Sequence, residues 1–223
     1  MNENLTTPYP EDFELDAEGN TIAFDGNSAL KKSNTKLPWT ENHIKEWLKC
    51  RDDIFYFAER YHHVLDIDTG LHKIQMRDYQ RDMITSFQNN RFNIVLAARQ
   101  IGKSTSFEIY VLHYLLFNKD KTVAILANKE ANAVDILRKI KQAYELLPKW
   151  LQQGVRSWNS KSIRLENGSY AFASSTSSSA IRGRSVSCLI IDECIAGESM
   201  ITVRNKKTGL IEQISIENFY EKI

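Results

Sequence analysis

One stretch constrains this chain more than any other: the apolar run Asn93-Ile94-Val95-Leu96 followed by Ala97-Ala98-Arg99-Gln100-Ile101-Gly102-Lys103-Ser104-Thr105. The apolar run predicts a short buried strand, and Gly-Lys-Ser opens an amphipathic helical segment from Thr105 to Phe117. Strand, tight loop and helix in that order are the parts of a phosphate-binding loop. The chemistry needs this spacing, because backbone N–H groups of the loop wrap a β-phosphate at the positive end of a helix. Lys103 places a point charge between the β- and γ-phosphates, and the Ser104 hydroxyl takes one position on Mg²⁺. The usual pattern opens with glycine five residues before Gly102, where this chain carries Ala97. The candidate nucleotide-contacting set is Ala97, Ala98, Arg99, Gln100, Ile101, Gly102, Lys103, Ser104 and Thr105. The plainer alternative is an ordinary strand-to-helix turn with a solvated lysine.

A phosphate loop requires a carboxylate partner, and Val186-Ser187-Cys188-Leu189-Ile190-Ile191-Asp192-Glu193 has the form of one. It reads as a buried strand ending in two carboxylates: Asp192 to hold Mg²⁺ directly or through water, Glu193 to polarise the attacking water. Between the two motifs, Thr122–Ala127 reads as another buried strand and Asn128–Leu147 as a helix with Val134, Leu137, Ile140, Ala143 and Leu147 on one face. Asn167-Gly168 signals a hairpin between Ser162–Leu165 and Tyr170–Ala173. The polar run Ser174–Ser179 is either a linker or a functional loop at the carboxyl edge of the sheet.

Upstream, residues 1–36 are polar, contain Pro8, Pro10, Gly19 and Gly26, and lack a sustained period, so an irregular or mobile arm is expected. Thr40 is a good cap for a helix through Arg51, and Ile54 to Tyr61 suggests a second. His62-His63 is a weak metal hint, since adjacent residues point to different faces. A further helix opens near Met76 and carries Tyr79-Gln80, either surface decoration or an adenine contact, an amide matching adenine's paired donor and acceptor.

Composition narrows the class. The 223 residues suffice for one good-sized domain and part of another, and the 42% apolar and 26% charged content is that of a globular chain. A net charge of +1 gives no global basic field, although a local basic face is compatible with it. No apolar run approaches membrane-spanning length, and no secretory signal is visible. The 3 cysteines, Cys50, Cys188 and Cys194, share no zinc or redox spacing and fit a reducing compartment.

From about Trp39 to Glu193 the chain resembles the large terminase subunit of T4-type tailed phages. The likeness rests on Lys49-Cys50-Arg51-Asp52-Asp53-Ile54, Leu71-His72-Lys73-Ile74-Gln75, Arg77-Asp78-Tyr79-Gln80-Arg81-Asp82-Met83 and Arg99-Gln100-Ile101-Gly102-Lys103-Ser104. It continues through Phe117-Asn118-Lys119-Asp120-Lys121, Glu145-Leu146-Leu147-Pro148, Ala180-Ile181-Arg182-Gly183 and Ile190-Ile191-Asp192-Glu193-Cys194. The resemblance implies an α/β fold with a P-loop RecA-like parallel sheet flanked by helices, over residues 37–193. It implies an ATPase with ATP and Mg²⁺ as ligands, driving double-stranded DNA as a homo-oligomeric ring on the portal of a prohead. It places Tyr79 and Gln80 at adenine, Arg99 on the γ-phosphate, Ser104 and Asp192 on Mg²⁺, and Glu193 as the catalytic carboxylate. An arginine suits its position because its planar fork bridges two phosphate oxygens. A small terminase subunit is a further implied partner, no membrane is involved, and the setting is the host cytoplasm during phage assembly.

The resemblance breaks after Glu193. Cys194-Ile195-Ala196-Gly197-Glu198-Ser199-Met200-Ile201-Thr202-Val203-Arg204 instead resembles the first block of an intein, with Cys194 as nucleophile. Asn205-Lys206-Lys207-Thr208-Gly209 would turn that strand into Leu210–Ile214, and Ile216–Tyr220 reads as a short helix. This reading makes residues 194–223 a short β-rich Hint fragment in which Cys194 attacks the Glu193 carbonyl. The later Thr, His and terminal His-Asn of inteins are absent from this sequence, so the expectation is a split or truncated precursor needing a complementary intein and C-terminal terminase half. The plainer reading keeps Cys194 as a terminase cysteine followed by an unusual loop. Two other classes share the nucleotide motifs: a helicase or translocase without packaging, and an inactive nucleotide-binding fragment.

Overall fold

The computed structural model describes residues 10–66, 70–98, 101–176, 181, 183–192, 200–204, 208–215 and 218. In chain order these form β1 (Ala23–Phe24), β2 (Asn27–Lys31), α1 (Glu41–Asp52), α2 (Ile54–Tyr61), β3 (His63–Asp66), β4 (Gly70–Lys73), α3 (Asp78–Asn89) and α4 (Lys103–Phe117). There follow β5 (Thr122–Ala127), α5 (Glu130–Glu145), β6 (Val155–Asn159), β7 (Ser162–Leu165), β8 (Tyr170–Ser175), β9 (Cys188–Asp192), β10 (Met200–Arg204) and β11 (Ile211–Ser215).

The central sheet has five strands in the order β6-β7-β8-β5-β9. It is mixed, which corrects the parallel sheet expected from sequence. Only β8, β5 and β9 run parallel, and β6, β7 and β8 are joined antiparallel. Short turns dictate this, since a few residues can reverse a chain but cannot cross over a sheet. At the second turn Gly168 has φ 84°, a conformation that L side chains rarely adopt, and a Cβ there would press on the Asp120 carboxylate. The parallel pair β5 and β8 has room for a crossover, which α5 fills. β5 is buried from Val123 to Ala127, as its continuous apolar run predicts.

α4 is the hub. Ile109, Val111, Leu112, Leu115 and Leu116 are all buried, so the helix is apolar on several sides rather than amphipathic as expected. It links two apolar clusters. Val111, Leu112, Leu115 and Leu116 join the main core with Leu137, Ile140, Val123, Ile125 and Ile190. Ile109 joins a smaller cluster with Ile54, Ala58, Ile74 and Ile84.

The apolar run before the loop does not form the predicted strand. Asn93 to Ala98 have no regular secondary structure, and Phe92, Ile94 and Leu96 are 82%, 74% and 58% exposed. A strand needs a hydrogen-bonding neighbour. β9 is the edge of the sheet, with Leu189 and Ile191 exposed, and among the described strands none continues the ladder beyond it.

The expected irregular arm is also corrected in part. β1 and β2 form a hairpin, and Ile22 and Leu30 are buried. Gln152 holds it: Lys31 N–H donates to Gln152 Oε1 at 2.9 Å, and Gln152 Nε2 donates to the Ala29 and Leu147 carbonyls, both at 2.9 Å. Thr40 caps α1, and Asp53 caps α2 through bonds to the Phe55 and Tyr56 N–H groups. His62 is fully buried with neither ring nitrogen hydrogen-bonded. Burial pushes its imidazole down to about 3, which keeps it neutral. At the chain's far end β10 and β11 pair antiparallel, from Met200 opposite Ser215 to Arg204 opposite Ile211. The helix expected at Ile216–Tyr220 lies almost wholly outside the described residues.

Replacing Gln152 with Leu strips partners from the Lys31 amide and from the Ala29, Tyr144 and Leu147 carbonyls in the interior. The expected cost is about 1–3 kcal/mol in urea unfolding, with faster amide hydrogen exchange at Lys31. Unaltered protection there would show that the hairpin is held by its apolar contacts instead.

Candidate functional site

The site begins with a helix end. Gly102 occupies the N-cap of α4 in the left-handed conformation, φ 84°, and no side chain caps the helix. No acidic residue stands in the first turn. The first N–H groups of an α-helix lack intrahelical partners, and among the described residues no side chain caps them here. Lys103, Ser104 and Thr105 make up that first turn and are all partly exposed.

Asp192 ends β9, whose Ile190 belongs to the same core cluster as Val111, Leu112, Leu115 and Leu116 of α4. The carboxyl termini of the parallel strands share one edge of the sheet, with Ala127 opposite both Ser175 and Asp192. Open α/β sheets bind ligands at this edge. Of the polar run after β8, Ser174 and Ser175 complete the strand and Thr176 N–H donates to the Ala127 carbonyl at 2.9 Å.

α3 meets the loop at its first turn. The Tyr79 hydroxyl donates to the Ile101 carbonyl at 2.7 Å and accepts from Arg77 Nη1 at 3.1 Å. Gln80 is buried; its Oε1 accepts from the Arg77 N–H at 3.0 Å, capping α3, and its Nε2 faces the Gly102 carbonyl at 3.5 Å. A Cβ on Gly102 would come within 2.5 Å of that nitrogen, a second reason for glycine here. Beside this contact an open cleft of about 330 Å³ runs between α3 and the extended segment, lined by Tyr79, Met83, Phe87, Ile94, Ala97 and Ile101 among others. Gln80 does not line it.

Of the residues singled out from sequence, the structure gathers Tyr79, Gln80, Ile101 and Gly102 into contact and sets Lys103, Ser104 and Thr105 directly after them. Ala97 borders the cleft, and Ala98 is exposed. Arg99, Gln100, Glu193 and Cys194 lie outside the described residues. Among the described residues no group of three His, Cys, Asp or Glu is arranged to hold a metal, so the His62-His63 hint does not develop into a site. No helix there is long and apolar enough to cross a membrane.

Sequence reasoning missed Glu108. It is buried on α4, and burial pushes its carboxyl up to about 7, with Asp135 adding to the rise and Lys139 and Arg138 opposing it. Its signal was a lone acid inside an otherwise apolar helix.

Comparison with known proteins finds two likenesses. Residues 94–198 match the family model for the terminase large subunit, T4likevirus-type, N-terminal. The match begins within the extended segment and spans the loop, α4, the parallel strands and β9. The fold is similar to the crystal structure of the HK97 bacteriophage large terminase, with a TM-score of 0.54 at 19% identity. That likeness covers 67% of this chain and 32% of the other, so the chain spans about a third of that structure's length.

Glu108 sets a pH dependence. An unfolded glutamate ionises near 4.5 and this one near 7, so between those values the folded state holds the extra proton. Stability therefore falls as pH rises through that window and levels off above it, by up to about 3 kcal/mol. Glu108→Gln is expected to flatten the profile and to be the more stable protein at high pH, as read from urea midpoints across the window. A wild-type profile already flat there would mean that water reaches the carboxylate.

Proposed function

We propose that this chain is the ATP-hydrolysing portion of a phage DNA-packaging terminase large subunit. One observation carries the reading: a glycine-started helix end bearing Lys103 and Ser104, with no side-chain cap among the described residues, lies inside the region that matches the terminase family model, as does the parallel strand that ends at Asp192.

The roles follow from the chemistry of each group. Backbone N–H groups from Gly102 onward donate to phosphate oxygens, and Lys103 neutralises charge on the β- and γ-phosphates. Arg99 spreads its guanidinium over the γ-phosphate oxygens, where charge concentrates as the terminal bond breaks. Glu193 orients water and takes its proton as the oxygen attacks phosphorus, with ADP leaving on the opposite side. Magnesium needs few protein ligands because phosphates and water complete its octahedron, and the Ser104 hydroxyl and Asp192 carboxylate fit that requirement. When bound, the ion offsets negative charge across the phosphates.

Double-stranded DNA is the proposed cargo, with a portal, a small terminase subunit and further copies of this chain in a ring as partners. Residues 194–223 are proposed to be the start of an intein. The Cys194 thiolate attacks the Glu193 carbonyl, the peptide C–N bond breaks, a thioester forms, and the freed amine takes the proton. The support is a nucleophile within a few residues of the end of the family match, followed by an antiparallel β10–β11 hairpin. The family match itself runs to residue 198, slightly past the proposed junction. The remaining intein residues would come from a continuation of the chain or from a separate polypeptide.

Lys103→Ala tests the nucleotide site. Affinity for MgATP by calorimetry is expected to fall more than tenfold with the circular dichroism spectrum unchanged, and an unaltered affinity would remove the phosphate-loop assignment. Peptide mass spectrometry of the mature protein from infected cells tests the junction. A peptide joining Glu193 to a sequence other than Cys194-Ile195-Ala196 is expected, and finding only Glu193-Cys194-Ile195 would leave terminase sequence uninterrupted by splicing.

A further inference from the structure

The register of the central sheet sorts its side chains onto two faces. Val123 stands beside Ala171 and Cys188, and Ile125 beside Ala173 and Ile190. Neighbours across a ladder point the same way, so these residues share one face. It is the face on which α4 and α5 pack, since Val123, Ile125, Ala171, Ala173 and Ile190 all belong to the main core with those helices. The alternate residues make the second face. There Ala124 stands beside Phe172 and Leu189, and Leu126 beside Ser174 and Ile191. None of the apolar residues on this face belongs to either core cluster.

Cover on the second face fails toward β9. Phe172 and Leu126 are 5% exposed, whereas Leu189 and Ile191 are 43% and 48% exposed. Arg184, between β8 and β9, lies on this face with its guanidinium 4.5 Å from the centre of the Phe172 ring. Chirality accounts for the gap. Connections between parallel strands of one sheet are right-handed with few exceptions. From β5 the chain moves away from β9, toward β8, β7 and β6, and it does so through α5 on the first face. A connection moving the opposite way must therefore run on the second face, where Arg184 is found. A chain that continued from β9 in that same direction would reach the free edge of the sheet. A parallel strand added there would bring its crossover across Leu189 and Ile191.

β9 has the composition of a strand in such an interior place. Leu189-Ile190-Ile191 is a continuous apolar run, which suits cover on both faces. Among the described strands it has one neighbour, β5, and the hairpin of β10 and β11 forms a separate sheet.

We propose that the free edge of β9 and the face bearing Leu189 and Ile191 are the docking surface for the terminase polypeptide that is joined to Glu193 in the mature protein. A helical crossover seats its apolar side on Leu189 and Ile191, and a parallel strand pairs with β9. This deepens the precursor reading above and rests on it. The two terminase halves recognise each other through this surface before they are ligated, so their association does not depend on the intein fragment alone.

The probe is the polypeptide found joined to Glu193 by peptide mass spectrometry, produced separately and without intein residues. The full chain carries Cys194→Ala, so that association is read without ligation. Binding in sedimentation velocity is expected, with amide exchange at Leu189–Ile191 slowed about tenfold or more in the complex. Leu189→Lys and Ile191→Lys are each expected to weaken association about tenfold, because the ammonium would have to be desolvated under the crossover. Leu146→Lys, at the C-cap of α5, changes a leucine of similar exposure and is expected to leave association unchanged. Thermal unfolding checks the variants, and if they fail to fold the exchange measurement decides without them. No association, or association that leaves exchange in β9 unaltered, would overturn the proposal. So would protection of β9 that grows with the concentration of the chain alone, since a second copy would then be the occupant. A mature protein in which only Cys194 follows Glu193 would instead overturn the precursor reading, and this proposal with it.

Discussion

A helix buried on several sides and open at its first turn is the constraint on which the rest of this molecule depends. α4 carries the apolar contacts that join the main core to the smaller cluster under α2 and α3. Because it is enclosed, its axis cannot tilt without opening both clusters, and close-packed interiors resist that. Its start, by contrast, is left without a cap, so the amides there keep their capacity to bind an external acceptor. Rigid support behind an unsatisfied donor set is what anion recognition requires: the groups are already oriented when the ligand arrives.

The sheet supplies the second half of the arrangement. β5, β8 and β9 run parallel, so their carboxyl ends fall on one edge, where Ala127 stands opposite Ser175 and Asp192. The antiparallel strands β6 and β7 extend the sheet on the side of β8 away from β9. The hairpin of β1 and β2 closes against the turn after α5 through Gln152. These additions enlarge the core on the side away from the β9 edge.

Local signals in the chain were legible wherever short-range chemistry decides. The Thr40 cap, the Asn167-Gly168 turn, the continuous apolar run of β5 and the glycine before Lys103-Ser104 each act over a few residues, and each element formed where those residues stand. The same reasoning overreached at Ile94, Val95 and Leu96. An apolar run is a statement about burial, and burial in a strand needs a neighbour on the ladder, which β9 does not provide here. It also read α4 as amphipathic, since spacing along one helix cannot report how many elements pack around it. The polar arm was misjudged for a related reason: its order comes from Gln152 and Glu166, more than a hundred residues away.

By itself the sequence determined the residue types able to bind phosphate and metal, their order along the chain, and the helices and turns that bracket them, because those depend on dihedral preference and nearest neighbours. The tertiary structure alone decided that Tyr79 and Gln80 face the loop's carbonyls, that Glu108 sits where its charge is penalised, and that Asp192 shares an edge with Ala127 and Ser175. Each of those depends on distances between segments remote in sequence, and such distances are set by packing rather than by any local pattern.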